Sequence, residues 1–118
     1  LPDGPQNSNY GCMGGLVRLP CKNHDILIYS NCDNAENRTH GTVWASFDGG
    51  VTWPIKRLVY EDKFAYSSID AGRAGTATEG WLYLHFESEG SKMARFNLSW
   101  LLEGEKTGDG EPPSQLKL

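Results

Sequence analysis

The sequence lacks a basic stripe: 11 Lys and Arg stand against 15 Asp and Glu in 118 residues, a formal net charge of −4. Binding a phosphate backbone takes clustered Lys and Arg, so no nucleic-acid partner is expected. Long apolar runs are also missing, which excludes a helical membrane span, and no leader peptide is visible. Cysteine is scarce and odd in number, with Cys12, Cys21 and Cys32 alone. They form no C-x-x-C pair, and His24, His40 and His85 are scattered, so neither a metal nor a cofactor is expected. Cys12 and Cys32 are the one pair expected to come close, as thiols rather than a disulfide, with Cys21 unpaired. Two glycosylation sequons, at Asn37 and Asn97, are short enough to be chance matches.

What the chain does have is 14 Gly, 4 Trp, 5 Tyr and 4 Phe with few helix-favouring runs, the composition of an all-β chain. Seven strands are expected: Gly15 to Leu19, Asp25 to Ser30, Thr42 to Phe47, Ile55 to Tyr60, Tyr66 to Ala71, Trp81 to Phe86 and Met93 to Leu98. The second and sixth are continuous apolar runs, as in strands buried on both faces. Residues 103–118 are rich in Gly, Pro and charge and predict a flexible C-terminal tail. Hairpin-sized connections predict an antiparallel meander. Its first four strands form one unit, and the next three an incomplete second. Repeated four-stranded units mark a β-propeller. Seven strands cannot close one, and the chain opens at Leu1 rather than Met. It is therefore expected to be the C-terminal end, 1–102, of a larger propeller whose remainder lies upstream.

The stretch ASFDGGVTW, residues 45–53, sits between the third and fourth strands. Asp-Gly-Gly is a hairpin signal, because these residues tolerate positive φ. Ser46 and Trp53 exceed what a hairpin needs. Polar side chains here can bind the turn's own backbone while the indole packs beneath.

SFDGGVTW resembles the Asp-box (bacterial neuraminidase repeat) of sialidases, with Ser46, Asp48, Gly50 and Trp53 at the motif positions. Three further stretches are similar to the same family. Tyr10 to Pro20 resembles the strand opening the penultimate sialidase blade. NRTHGTVWASFDGG places Arg38 where sialidases carry the third arginine of their carboxylate-binding triad. FAYSSIDAG, followed by WLYLHFE, resembles their Tyr-Ser and later Glu-bearing segments. The resemblance implies a six-bladed β-propeller, of which this chain is the fifth blade and most of the sixth. It also implies an exo-α-sialidase that releases terminal sialic acid from glycans with retention. Tyr66 is then the nucleophile, and Arg38 binds the substrate carboxylate. Glu87 orients an arginine or hydrogen-bonds near Tyr66. The acid/base Asp, two further arginines and the Glu activating the tyrosine would lie upstream, since Asp3 sits in a Pro-Gly turn. The implied whole protein is secreted or periplasmic, and this chain alone is expected to be inactive. Two departures stand out. Gly11-Cys12-Met13-Gly14-Gly15 replaces Gly-Cys-Gln-Gly-Ser, and Phe86 stands where Tyr is usual.

The residue types suit the chemistry. A guanidinium grips a carboxylate through two parallel hydrogen bonds that Lys cannot reproduce. A carboxylate nucleophile would be repelled by the substrate's own carboxylate, and a phenol avoids this. A free tyrosine phenol titrates at about 10, so such a nucleophile needs a base and positive surroundings. Loops of an up-and-down unit alternate between its two ends, which predicts Arg38, Tyr66 and Glu87 at one end, their side chains approaching one another within a single cleft. The Asp-box turn should lie about 20 Å away, at the other. The alternatives are a solvated loop arginine, a packed inner-strand aromatic and an exposed turn acid. A non-catalytic Asp-box propeller that binds carbohydrate or protein is the competing function.

Overall fold

The computed structural model describes residues 1–2, 12–21 and 23–116. Asp3 and the Tyr10–Gly11 start of the first resembling stretch lie outside them. Strands β1 (Gly15–Cys21), β2 (His24–Cys32), β3 (Thr39–Ser46) and β4 (Ile55–Lys63) follow in order, then β5 (Ser67–Ala71), β6 (Trp81–Glu87) and β7 (Ser91–Asn97). A short helix, α1 (Leu98–Leu102), and a two-residue strand, β8 (Glu105–Lys106), complete the order before a 3-10 turn at Ser114–Leu116. One sheet runs β1-β2-β3-β4-β8 and the other β5-β6-β7, every pairing antiparallel.

The sheets face each other across a single core. Ile26 and Ile28 of β2 and Val43 and Ala45 of β3 meet Leu82, Leu84 and Phe86 of β6, all buried. Alternate residues of a strand point to opposite faces, so spacing by two places each set on one side. Burying each large aliphatic contributes roughly 1.5–3 kcal/mol. The other face of β2 is apolar as well. Tyr29 packs there against Trp44 and Trp53 with ring centroids 5.7 and 6.1 Å away, as expected for a strand buried on both sides. The expectation for β6 needs correction. Its Leu82, Leu84 and Phe86 are buried, Trp81 and Tyr83 are half-buried, and His85 and Glu87 are exposed. A polar residue every second position at its end makes β6 two-sided only near Trp81.

The remaining differences are local. Asn97 caps α1 by accepting the Trp100 N–H at 2.9 Å, and Leu101 is buried. Capping and one buried leucine hold this five-residue turn, although it is too short to show a helical period. The stretch expected as a flexible tail docks on the sheet over residues 105–109. Glu105 and Lys106 pair with Lys56 and Ile55 of β4. Asp109 then accepts the main-chain N–H of Trp53 at 2.9 Å, and Thr107 donates to the Trp53 carbonyl at 2.6 Å. Backbone groups left at an open strand edge need partners, and this segment supplies them despite its loop-like composition.

Candidate functional site

The two ends of the strands differ in chemistry. At one end, residues 46–53 close on themselves. Ser46 Oγ donates to Asp48 Oδ1 at 2.9 Å and accepts the Gly50 N–H at 2.9 Å. Asp48 accepts the Thr52 N–H and the Thr52 hydroxyl at 2.9 and 2.6 Å. Gly49 and Gly50 have φ of 74° and 91°, conformations that cost glycine little. The Trp53 indole is buried and donates to the Gly50 carbonyl at 3.2 Å. The Thr52 hydrogen bonds come first among the causes that hold the Asp48 carboxyl below its ordinary value. The Ser46 and Asp48 side chains and the Trp53 indole N–H are occupied by the turn itself, and Thr52 joins the four expected residues.

Eight residues of β3, about 25 Å of extended chain, separate this turn from Arg38. The loop before Arg38 is built by Asn34. Its Oδ1 accepts the N–H groups of Glu36 and Asn37 at 2.8 and 3.1 Å, and its Nδ2 donates to Thr39 Oγ1 at 2.9 Å. Just beyond, the β3–β4 register shifts around Gly41, and His40 takes a φ of 58°. Such irregularities bend a strand end and re-aim its side chains.

Main-chain hydrogen bonds then knit the expected residues together. The Arg38 carbonyl accepts the Phe64 N–H at 2.9 Å. Two residues on, Tyr66 and Glu87 are joined by the Glu87 N–H and the Tyr66 carbonyl at 3.0 Å, and Ala65 N–H meets the Glu87 carbonyl at the same distance. The Arg38 guanidinium lies over the Tyr66 ring, 5.3 Å from its centroid, within the range of a cation–π contact. Below the tyrosine, the buried hydroxyls of Ser30 and Ser67 hydrogen-bond at 2.9 Å, and Ser30 Oγ also accepts the Gly15 N–H. This pair ties the two sheets beneath Tyr66.

Tyr66 is 48% exposed. It and Glu87 line an open cleft of about 410 Å³ together with Met13, Ser68, His85 and Ser91. The expectation of one shared cleft needs correction: Arg38 does not line it and approaches the tyrosine over its ring. The sequence reading left out Asn34, His85, Ser91 and the Cys12–Cys32 pair as neighbours of the site. An Asn two and three residues before polar loop positions is the signal of an Asx turn and could have marked Asn34. His85 and Ser91 carry no such signal, whereas the Cys12–Cys32 approach was expected from the hairpin and only its place beside the site was not. Among the described residues, no group of three His, Cys, Asp or Glu side chains could hold a metal ion.

The arrangement offers a planar cation, a solvent-reached phenol and a carboxylate at one end of two stacked sheets. Comparison with known proteins bears on what such an end does. No family model matches the chain. A sialidase of Micromonospora viridifaciens is 33% identical over 76 residues, covering 64% of this chain and 11% of that protein. A sialidase of Bacteroides fragilis is 34% identical over 65 residues, covering 49% of this chain and 12% of its own length. Among solved structures, Hadza microbial sialidase Hz136 superimposes with a TM-score of 0.65 at 28% identity, covering 76% of this chain and 18% of that one. The chain thus spans about a tenth of the length of the curated relatives it matches. Over that part, the chain is related in sequence to the sialidases and shares the antiparallel sheets of their β-propeller fold.

Proposed function

We propose that the chain is the C-terminal part of an exo-α-sialidase propeller, its fifth blade and most of its sixth, acting on sialylated glycans in a secreted or periplasmic protein. One observation carries this reading. The Arg38 guanidinium stands over the ring of a solvent-reached tyrosine whose backbone is bonded to Glu87. A binding surface has no need of a solvent-reached phenol with a cation over its ring and an acid on the neighbouring strand.

In this reading Arg38 binds the substrate carboxylate through its planar fork. Tyr66 attacks the anomeric carbon, because its neutral phenol meets the substrate's negative charge without repulsion. Glu87 positions an arginine of the clamp or a group beside Tyr66. The acid/base Asp, the Glu that activates the tyrosine and two more arginines belong to the rest of the propeller. The Ser46, Asp48, Gly50 and Trp53 turn is an Asp-box with a structural role at the far end. The test is hydrolysis of an α-linked fluorogenic sialoside by the full-length protein, with the first product followed by NMR. Release of the α-anomer supports the proposal; absence of release from folded full-length protein contradicts it.

A further inference from the structure

The side chains of Cys12 and Cys32 meet beside Arg38 and Glu87 and have no part in the reaction above. Asn31 gathers them. Its amide nitrogen donates to the Cys12 carbonyl at 3.2 Å. Its side-chain oxygen accepts the Cys32 main-chain N–H at 2.8 Å and the Cys32 thiol at 3.5 Å. The two thiol groups also hydrogen-bond each other, and the charges of Arg38 and Glu87 reach Cys12. Both cysteines are partly buried, so a small reagent can reach them. Cys21 pairs with His24 at the opposite end of the β1–β2 hairpin and is an internal control.

We propose that Cys12 and Cys32 form an oxidisable dithiol that low-molecular-weight disulfides convert to a Cys12–Cys32 disulfide at the rim of the candidate site. The steps follow thiol–disulfide exchange. Burial, reinforced by Cys32, pushes the Cys12 thiol up to about 11. In the proposed order the exchange opens at Cys32. Its thiolate attacks one sulfur of the small disulfide, forms a mixed disulfide and expels one small thiolate. Cys12 then loses its proton to solvent, attacks the Cys32 sulfur and expels the second small thiolate. Two protein thiols are oxidised and one small disulfide is reduced to two thiols.

The bond pins the segment before β1 to the end of β2. Met13, next to Cys12, lines the cleft, and its carbonyl accepts the Ser67 N–H at 3.1 Å beside Tyr66. The cross-link therefore fixes one wall of the cleft. This chemistry stands apart from the sialidase reading and can be tested without a substrate.

The experiment incubates the full-length protein with oxidised glutathione, alkylates remaining thiols and maps these three cysteines by peptide mass spectrometry. The expected result is loss of two of the three thiols, a peptide linking Cys12 to Cys32, an alkylated Cys21, and full reversal by dithiothreitol. In the Cys12→Ser protein the reaction should stop at a glutathione adduct on Cys32. The proposal is overturned by a linked peptide that contains Cys21. It is equally overturned if Cys12 and Cys32 both stay alkylatable after the incubation. The wild-type map decides the matter if the variant does not fold.

Discussion

Phe64 lies against the bare Cα of Gly41: a Cβ added at Gly41 would come within 1.9 Å of the Phe64 ring. Phe64 is fully buried and stacks on Phe86 at 4.6 Å, and its N–H is bonded to Arg38. The glycine thus makes room for the aromatic that anchors the Arg38 loop to the segment carrying Tyr66.

Gly41→Ala should accordingly lower stability by about 1–3 kcal/mol, the usual cost of overpacking a filled core. It should also disturb the site two residues beyond Phe64. Thermal or denaturant unfolding measures the first effect, and an unchanged midpoint would show that Phe64 can move aside freely.

Asp48→Ala removes the acceptor of the Thr52 hydrogen bonds. About 1–2 kcal/mol of stability should be lost through those bonds. The lowered value of the Asp48 carboxyl sets the pH dependence. The fold favours the ionised form, so the contribution is present above the ordinary Asp value of about 4. It disappears as pH falls through the lowered folded value. The gap in melting temperature between wild type and Asp48→Ala should therefore be full at pH 7 and shrink in strong acid. A gap that persists unchanged at low pH would assign the loss to another cause.

That the turn at residues 46–53 and the group Arg38, Tyr66 and Glu87 fall at opposite ends of the strands was legible in the sequence. Arg38, Tyr66 and Glu87 share an end because loop order in an antiparallel meander alternates, a property of chain direction that needs no coordinates. The Cys12–Cys32 approach follows from the same hairpin. Residues 105–109 were not legible, because a two-residue strand held by a backbone edge and by Asp109 leaves no hydrophobic period. The short helix after Asn97 escaped for a similar reason, one capping side chain and one buried leucine being its whole support. His85 and Ser91 reach the cleft together, in contact with one another, through cross-strand register. Spacing along the chain does not reveal that.

Replacing Arg38 with Lys keeps the charge and loses the planar fork. With Arg38 in the proposed role, gripping the carboxylate in the ground state and more tightly in the transition state, KM for an α-sialoside should rise and kcat should fall in the full-length protein. Together the two changes should lower kcat/KM by about 10–100-fold, roughly 1.4–2.7 kcal/mol. Kinetics indistinguishable from wild type would remove Arg38 from the carboxylate clamp.

The most direct measurement is the turnover of full-length Tyr66→Phe on a fluorogenic α-sialoside, with folding checked by thermal melting. The ring remains to face Arg38 while the oxygen proposed to attack is gone. The melting temperature should stay close to wild type, and kcat should fall by on the order of a thousandfold or more. Wild-type turnover in the folded Tyr66→Phe protein would contradict the assignment of Tyr66 as the nucleophile.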